Sequence, residues 1–198
     1  MRDRFARLCS ILGHPLLTMS SAVVCLSAVR DPGRVWTTAL GLGLIAATVM
    51  AFSWRQVRRE RWSHIDASRP EERAGLNRAL TWLLIAVAAV AAWRGMRELA
   101  LGAALSVAMI LAARASSRWC TLSLHVGFAV FAAGLLWTWS PLATLVGLTF
   151  AATVAWSRAA LQRHTPRDLA IGAAAGALSA VAFAATVAHW TTAASVAA

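Results

Sequence analysis

Lysine is absent: all 19 basic residues of this 198-residue chain are arginines. Acids are scarce, eight in all, so the formal net charge is +11. Such a surplus would suit a nucleic-acid binder, but the arginines fall in short gaps between apolar segments and form no basic stripe on a polar face. Membrane orientation and anionic head groups account for them better, and no nucleic-acid partner is expected. Cysteine is rare too. Cys9, Cys25 and Cys120 lie in or beside apolar segments, without metal-ligand spacing or an even disulfide pattern. They read as small buried hydrophobes. The chain has no internal repeat and no low-complexity linker. Its N-terminus has a basic start and an apolar run like a signal peptide. No small-x-small cleavage site follows, and the run continues to Val29, so a retained first span is expected.

What the chain has in abundance is apolar sequence: 59% hydrophobic residues and a mean hydropathy of +0.63, against about 45–50% apolar in an ordinary soluble domain. The expected fold is all-α, a single integral membrane domain with about 6–7 membrane helices. Seven apolar segments can be counted: Leu8–Val29, Trp36–Trp54, Ala79–Trp93, Leu99–Ala113, Trp119–Trp139, Leu142–Trp156 and Leu169–Trp190. Trp36, Trp54, Trp82, Trp93, Trp119, Trp137, Trp139, Trp156 and Trp190 mark most of the ends, as an interfacial aromatic belt requires. The third and fourth segments are short. They fit either two spans or a shallow hairpin turning at Arg94-Gly95, and in both cases the chain returns to the side it left.

Parity then places the N-terminus, the Arg55–Arg78 loop, the Arg114–Trp119 turn and the Trp156–Asp168 loop on one side. That side carries 15 arginines and the other four, Arg30, Arg34, Arg94 and Arg97. The positive-inside rule makes the richer face cytoplasmic, in a cell membrane, with a bacterial inner membrane as the expected setting.

The densest polar stretch precedes the last apolar segment: Ser157-Arg158, five residues, His164, three residues, Asp168. Polar groups are expensive beside a bilayer core, so their crowding at one boundary points to function. The residue types suit phosphate chemistry, with a guanidinium to grip oxyanions, an imidazole to attack or shuttle protons and a carboxylate to orient it. Thr165-Pro166 is a helix start, with threonine as N-cap and proline at the first helical position. His164 is then expected just outside a helix N-terminus, where free N–H groups favour an anion, with Asp168 one turn inside and able to reach back.

This spacing, followed by Gly172 and Gly176, resembles the third signature of the type-2 phosphatidic acid phosphatases, a superfamily that includes vanadium haloperoxidases and bacterial lipid phosphatases. The resemblance implies that His164 is the nucleophile that forms a phosphohistidine, that Asp168 holds its tautomer and that Arg158 binds phosphate oxygens. The two glycines also fit close helix packing in lipid. The family's second signature, proline-serine-glycine-histidine, is matched in part by Leu122-Ser123-Leu124-His125, which keeps serine and histidine. By resemblance Ser123 bonds phosphate and His125 protonates the leaving oxygen.

The first signature is degenerate. Arg69-Pro70 supplies its last two members, but Trp62 stands where a lysine is usual. Ser63-His64-Ile65-Asp66 with Glu72-Arg73 resembles a bacterial variant, in which Arg73 is the phosphate ligand and Asp66 positions an arginine. Ser157 and His64 are further possible supports of the site. His14, in Gly13-His14-Pro15, fits either the pocket mouth or helix packing, and His189 reads as interfacial.

The function implied by resemblance is a membrane phosphatase acting on a lipid phosphate or diphosphate, without metal or other cofactor. Isoprenyl phosphate, phosphatidic acid and phosphatidylglycerol phosphate are open as substrates, and membrane lipids are the expected partners. The alternatives are a catalytically degenerate protein of the same fold and a lipid phosphotransferase. Nothing in the sequence fixes an oligomeric state.

Overall fold

The computed structural model describes residues 2–63 and 69–196. Among these the chain is all α: α1 Arg2–Leu12, α2 Pro15–Arg30, α3 Val35–Arg58, α4 Pro70–Trp93, α5 Arg97–Ser116, α6 Leu124–Leu135, α7 Pro141–Ala160 and α8 Pro166–Val196. Five of the helices, α3, α4, α5, α7 and α8, are long and apolar enough to cross a membrane, or up to six spans if α1 and α2 count as one bent span. Large apolar side chains point outward on them, with Leu44 70% and Leu178 71% exposed. In water that exposure would be prohibitive; against acyl chains it is the expected lining. The chain is a multi-pass membrane helix bundle.

The structure corrects the first and fifth segments and lengthens the third and fourth. The first is broken: α1 and α2 meet at 50°. Pro15 opens α2, and the residue before a proline avoids helical backbone. His14 accordingly is extended, and its Nδ1 accepts the Leu16 N–H at 3.3 Å as an N-cap. The third and fourth segments are full-length helices of 24 and 20 residues, long enough to cross. Hydropathy alone missed the polar first turns of α4. Gly95, at φ +72°, makes the left-handed turn between the two helices. The fifth segment is shorter than it looked. Its helix α6 has 12 residues, about 18 Å, before a 3-10 turn at Leu136–Thr138.

Short α6 is the centre of the bundle, packed against α8, α7 and α2. Phe128, Phe131 and Leu135 on α6 join Leu26 of α2, Met109 and Ile110 of α5, and Phe183 and Val187 of α8 in one buried cluster. Small residues let the backbones touch. A Cβ on Gly176 would stand 2.2 Å from the Gly127 carbonyl oxygen, and one on Gly172 would stand 2.6 Å from that of Ser123. Only glycine fits at such contacts.

Gly176→Ala is therefore expected to lower the thermal midpoint in detergent by an amount corresponding to about 1–3 kcal/mol of overpacking. Gly43→Ala, where no atom lies within 4 Å, serves as the control and should not lower it. Equal midpoints for the two variants would remove the α6–α8 backbone contact as a determinant of stability.

Candidate functional site

The α7–α8 turn, the connector before α6 and the α1–α2 break come together at one end of the bundle. α7 ends in a turn where Gln162 adopts the left-handed region at φ +52°. The Arg163 N–H closes back on the Arg158 carbonyl at 3.0 Å, a helix C-terminal motif that usually employs glycine. The reversal brings His164 back over Arg158. Two residues after His164, α8 begins with the expected cap. Thr165 Oγ1 accepts the Asp168 N–H at 3.3 Å, and Asp168 Oδ2 accepts the Thr165 N–H at 3.0 Å. This is a reciprocal capping box with aspartate at its third position.

Asp168 does more than cap. It is buried, its Oδ2 also accepts the Thr165 hydroxyl at 2.8 Å, and its Oδ1 accepts the Thr121 N–H at 2.9 Å. Its carbonyl accepts the Ser123 N–H at 3.2 Å. The 119–123 connector is thereby fastened to the start of α8. The Thr121 carbonyl then faces His164, whose Nδ1 lies 3.0 Å away. A carbonyl can only accept, so Nδ1 carries the proton and, in the neutral ring, Nε2 carries the lone pair. Nε2 faces Arg158 Nη2 at 3.5 Å.

This alters the role read from the sequence for Asp168. Its oxygens are taken by Thr121 and Thr165, and the carboxylate holds the His164 tautomer through Thr121 rather than by a direct bond. The physical reason is the cap: as third residue of α8, Asp168 curls back over the free N–H groups there.

Arg158 is buried, 5% exposed, and its Nη1 donates to Ser10 Oγ of α1 at 3.0 Å. His125, in the first turn of α6, packs edge-to-face on His14 with ring centroids 5.5 Å apart. It lies within electrostatic range of Arg158 and His164. Ser123 is fully buried, and its Oγ has no hydrogen-bond partner among the described residues. Of the two arginines at the start of α4, Arg73 is among the charges that act on His164. Arg69 is exposed, and its N–H binds Glu72 at 3.0 Å, which starts α4. Glu72 also accepts from the Ser63 N–H and hydroxyl, at 2.7 and 2.9 Å.

Ser157 is buried, but its hydroxyl donates to the Val154 carbonyl within α7 at 2.7 Å. That bond employs it in its own helix rather than in the site. His64 and Asp66 lie outside the described residues. Sequence reasoning missed Ser10 and Thr121. Ser10 has no motif around it, and Thr121 acts through its main chain, which no side-chain pattern reveals.

The ensemble presents a half-buried imidazole nitrogen beside a buried guanidinium, a second histidine and an unpartnered serine hydroxyl at a helix start. These residue types suit an oxyanion and a nucleophile beside it. Among the described residues no three His, Cys, Asp or Glu side chains come together so as to hold a metal ion. A comparison of the chain with protein-family models, with curated proteins and with solved structures finds no match.

Burial, and next the Arg158 charge, hold His164 below its ordinary pKa, against the opposing pull of the Thr121 carbonyl and Asp168. Both dominant causes disfavour the imidazolium. The ring therefore stays neutral to lower pH than a free histidine, and its titration midpoint is expected below about 6.5. NMR titration of the His164 ring in detergent measures it. A midpoint above that value would mean that Arg158 does not stand where described.

Proposed function

We propose that this protein is a membrane phosphatase that cleaves a phosphate or diphosphate group from a lipid through a phosphohistidine on His164. The observation that carries the reading is the pair of contacts on that ring, Nδ1 on the Thr121 carbonyl and Nε2 toward Arg158. Together they aim an unprotonated nitrogen at the place where a guanidinium would hold a phosphoryl group. The resemblance to the type-2 phosphatidic acid phosphatases supports the same roles.

In this mechanism Nε2 attacks phosphorus in line. The P–N bond forms as the bond to the leaving oxygen breaks, and the leaving oxygen takes a proton from His125. Water then attacks the phosphohistidine and gives its proton to His125, which restores the starting state and releases phosphate. Arg158 and Arg73 neutralise charge on the equatorial oxygens, the largest expected contribution to rate. Ser123 Oγ, buried without a partner among the described residues, gives a phosphate oxygen a hydrogen bond. The Thr121 carbonyl, with Asp168 on the same residue's N–H, stabilises the Nδ1 proton as the ring becomes cationic. Isoprenyl phosphates, phosphatidic acid and phosphatidylglycerol phosphate all present the required group.

His164→Ala should abolish phosphate release from short-chain lipid phosphates while the melting midpoint stays near that of the wild type, because the ring faces the site rather than the core. Orthovanadate should inhibit competitively and EDTA should leave the rate unchanged. Near-normal turnover by His164→Ala would sink the mechanism. Transfer of phosphate only to an added acceptor lipid, and never to water, would make the protein a phosphotransferase. A purified protein inert toward all such lipids would make it a degenerate member of the fold.

The excess of arginine on the site's face supports a cytoplasmic site. Subtracting Arg69, Arg73 and Arg158 as candidate phosphate ligands still leaves 12 against four. Because α8 leaves that face and is long enough to cross, a reporter fused after it reads the opposite side. Active alkaline phosphatase and dark green fluorescent protein are expected. The reverse pair would put the site outside.

A further inference from the structure

Arg158 is the costliest group in the site to bury, and a buried guanidinium is tolerable only when its N–H groups are engaged. One of them is held from the far end of the chain: Nη1 donates to Ser10 Oγ, 148 residues away in sequence, at 3.0 Å. Ser10 is itself 7% exposed. Two contacts fix α1 on either side of it. Phe5 packs on Trp156 with centroids 5.8 Å apart, and Gly13 lies so close to Val154 that a Cβ there would stand 2.4 Å from its Cγ2. The break after Gly13 lets α1 lie across the last turns of α7 instead of continuing the line of α2. An unbroken first helix would carry Ser10 away from Arg158.

The chemistry of the contact is specific. A carboxylate at position 10 would cancel the charge that a phosphate needs. A serine hydroxyl satisfies one donor and leaves the charge in place, while fixing the plane of the guanidinium fork. We propose that Ser10 is a positioning residue for Arg158, held in place by the broken α1–α2 pair, and that it sets the fork for the five-coordinate phosphorus of the transition state. This inference rests on the phosphatase reading above.

The test compares wild type, Ser10→Ala and Ser10→Thr in the full-length protein, with kcat/KM, orthovanadate and inorganic phosphate inhibition, and melting midpoint as readouts. Ser10→Ala should lose about tenfold in kcat/KM and about tenfold in orthovanadate affinity, the size of one hydrogen bond to a charged group. Inorganic phosphate, which does not mimic the transition state, should inhibit nearly as before, and the midpoint should hold. Ser10→Thr, which restores the hydroxyl, should recover both losses. An active wild type with a Ser10→Ala variant of unchanged kcat/KM and vanadate affinity overturns the inference alone. So does a loss that follows a fallen midpoint and is not recovered by threonine. A wild type that hydrolyses no lipid phosphate and is indifferent to vanadate overturns the phosphatase reading, and this inference with it.

Discussion

The carboxylate of Asp168 joins the connector between α5 and α6 to the start of α8. One oxygen closes the cap of α8 on Thr165 and the other takes the Thr121 N–H from the connector between α5 and α6. The second bond, together with the Ser123 N–H on the Asp168 carbonyl, fixes the connector and with it the Thr121 carbonyl that sets the His164 ring. Without the first, α8 would begin with unsatisfied N–H groups at a membrane boundary, where that is expensive. A buried carboxylate accepting three N–H or O–H bonds is well compensated for its desolvation. The constraint therefore does two jobs at once, and the orientation of the histidine is a consequence of how the last helix starts.

That arrangement needs α6 and α8 to be in near-backbone contact. Gly172 sits against the Ser123 carbonyl and Gly176 against that of Gly127, so the start of α6 is held at the start of α8. The same closeness leaves Ser123 fully buried, with its N–H bonded to Asp168 and its hydroxyl without a hydrogen bond among the described residues. In lipid, helix association gains little from hydrophobicity, and close packing of small residues replaces it. Packing and site geometry are thus set by the same glycines. The small residues after Asp168 read equally as a helix-packing stripe and as part of a phosphatase-like motif, and here they serve close packing directly beside the site.

Much of this was legible in the sequence. Hydropathy gave the spans, Thr165-Pro166 gave the start of α8, and the spacing of Arg158, His164 and Asp168 gave residues that do come together. What escaped has physical reasons. Hydropathy runs unbroken through Gly13-His14-Pro15, so the first segment read as one helix although its proline and glycine argue for a stop. The polar first turns of α4 hid the length of that helix. Asp168 looked like a direct partner of His164 because aspartate beside histidine usually is one, but a capping position claims its oxygens first. Thr121 acts through a carbonyl that every residue possesses, and Ser10 depends on a contact between opposite ends of the chain. Neither leaves a mark in local pattern.

The environment of the site also explains why it sits where it does. Deeper in the bundle, a guanidinium and three imidazoles would meet a purely apolar surround, and the charged forms would be lost to desolvation. Farther out, water would screen Arg158 and hydrate the His164 ring. At the helix ends the balance is intermediate: Arg158 is buried with Nη1 on Ser10 and Nη2 facing His164, while His164 is half-buried and biased toward its neutral form. A neutral ring next to a fixed positive charge is an unfavourable place for a proton and a favourable one for a phosphate dianion. The same electrostatic bias that removes the proton from Nε2 thus prepares the position for the group that nitrogen would attack.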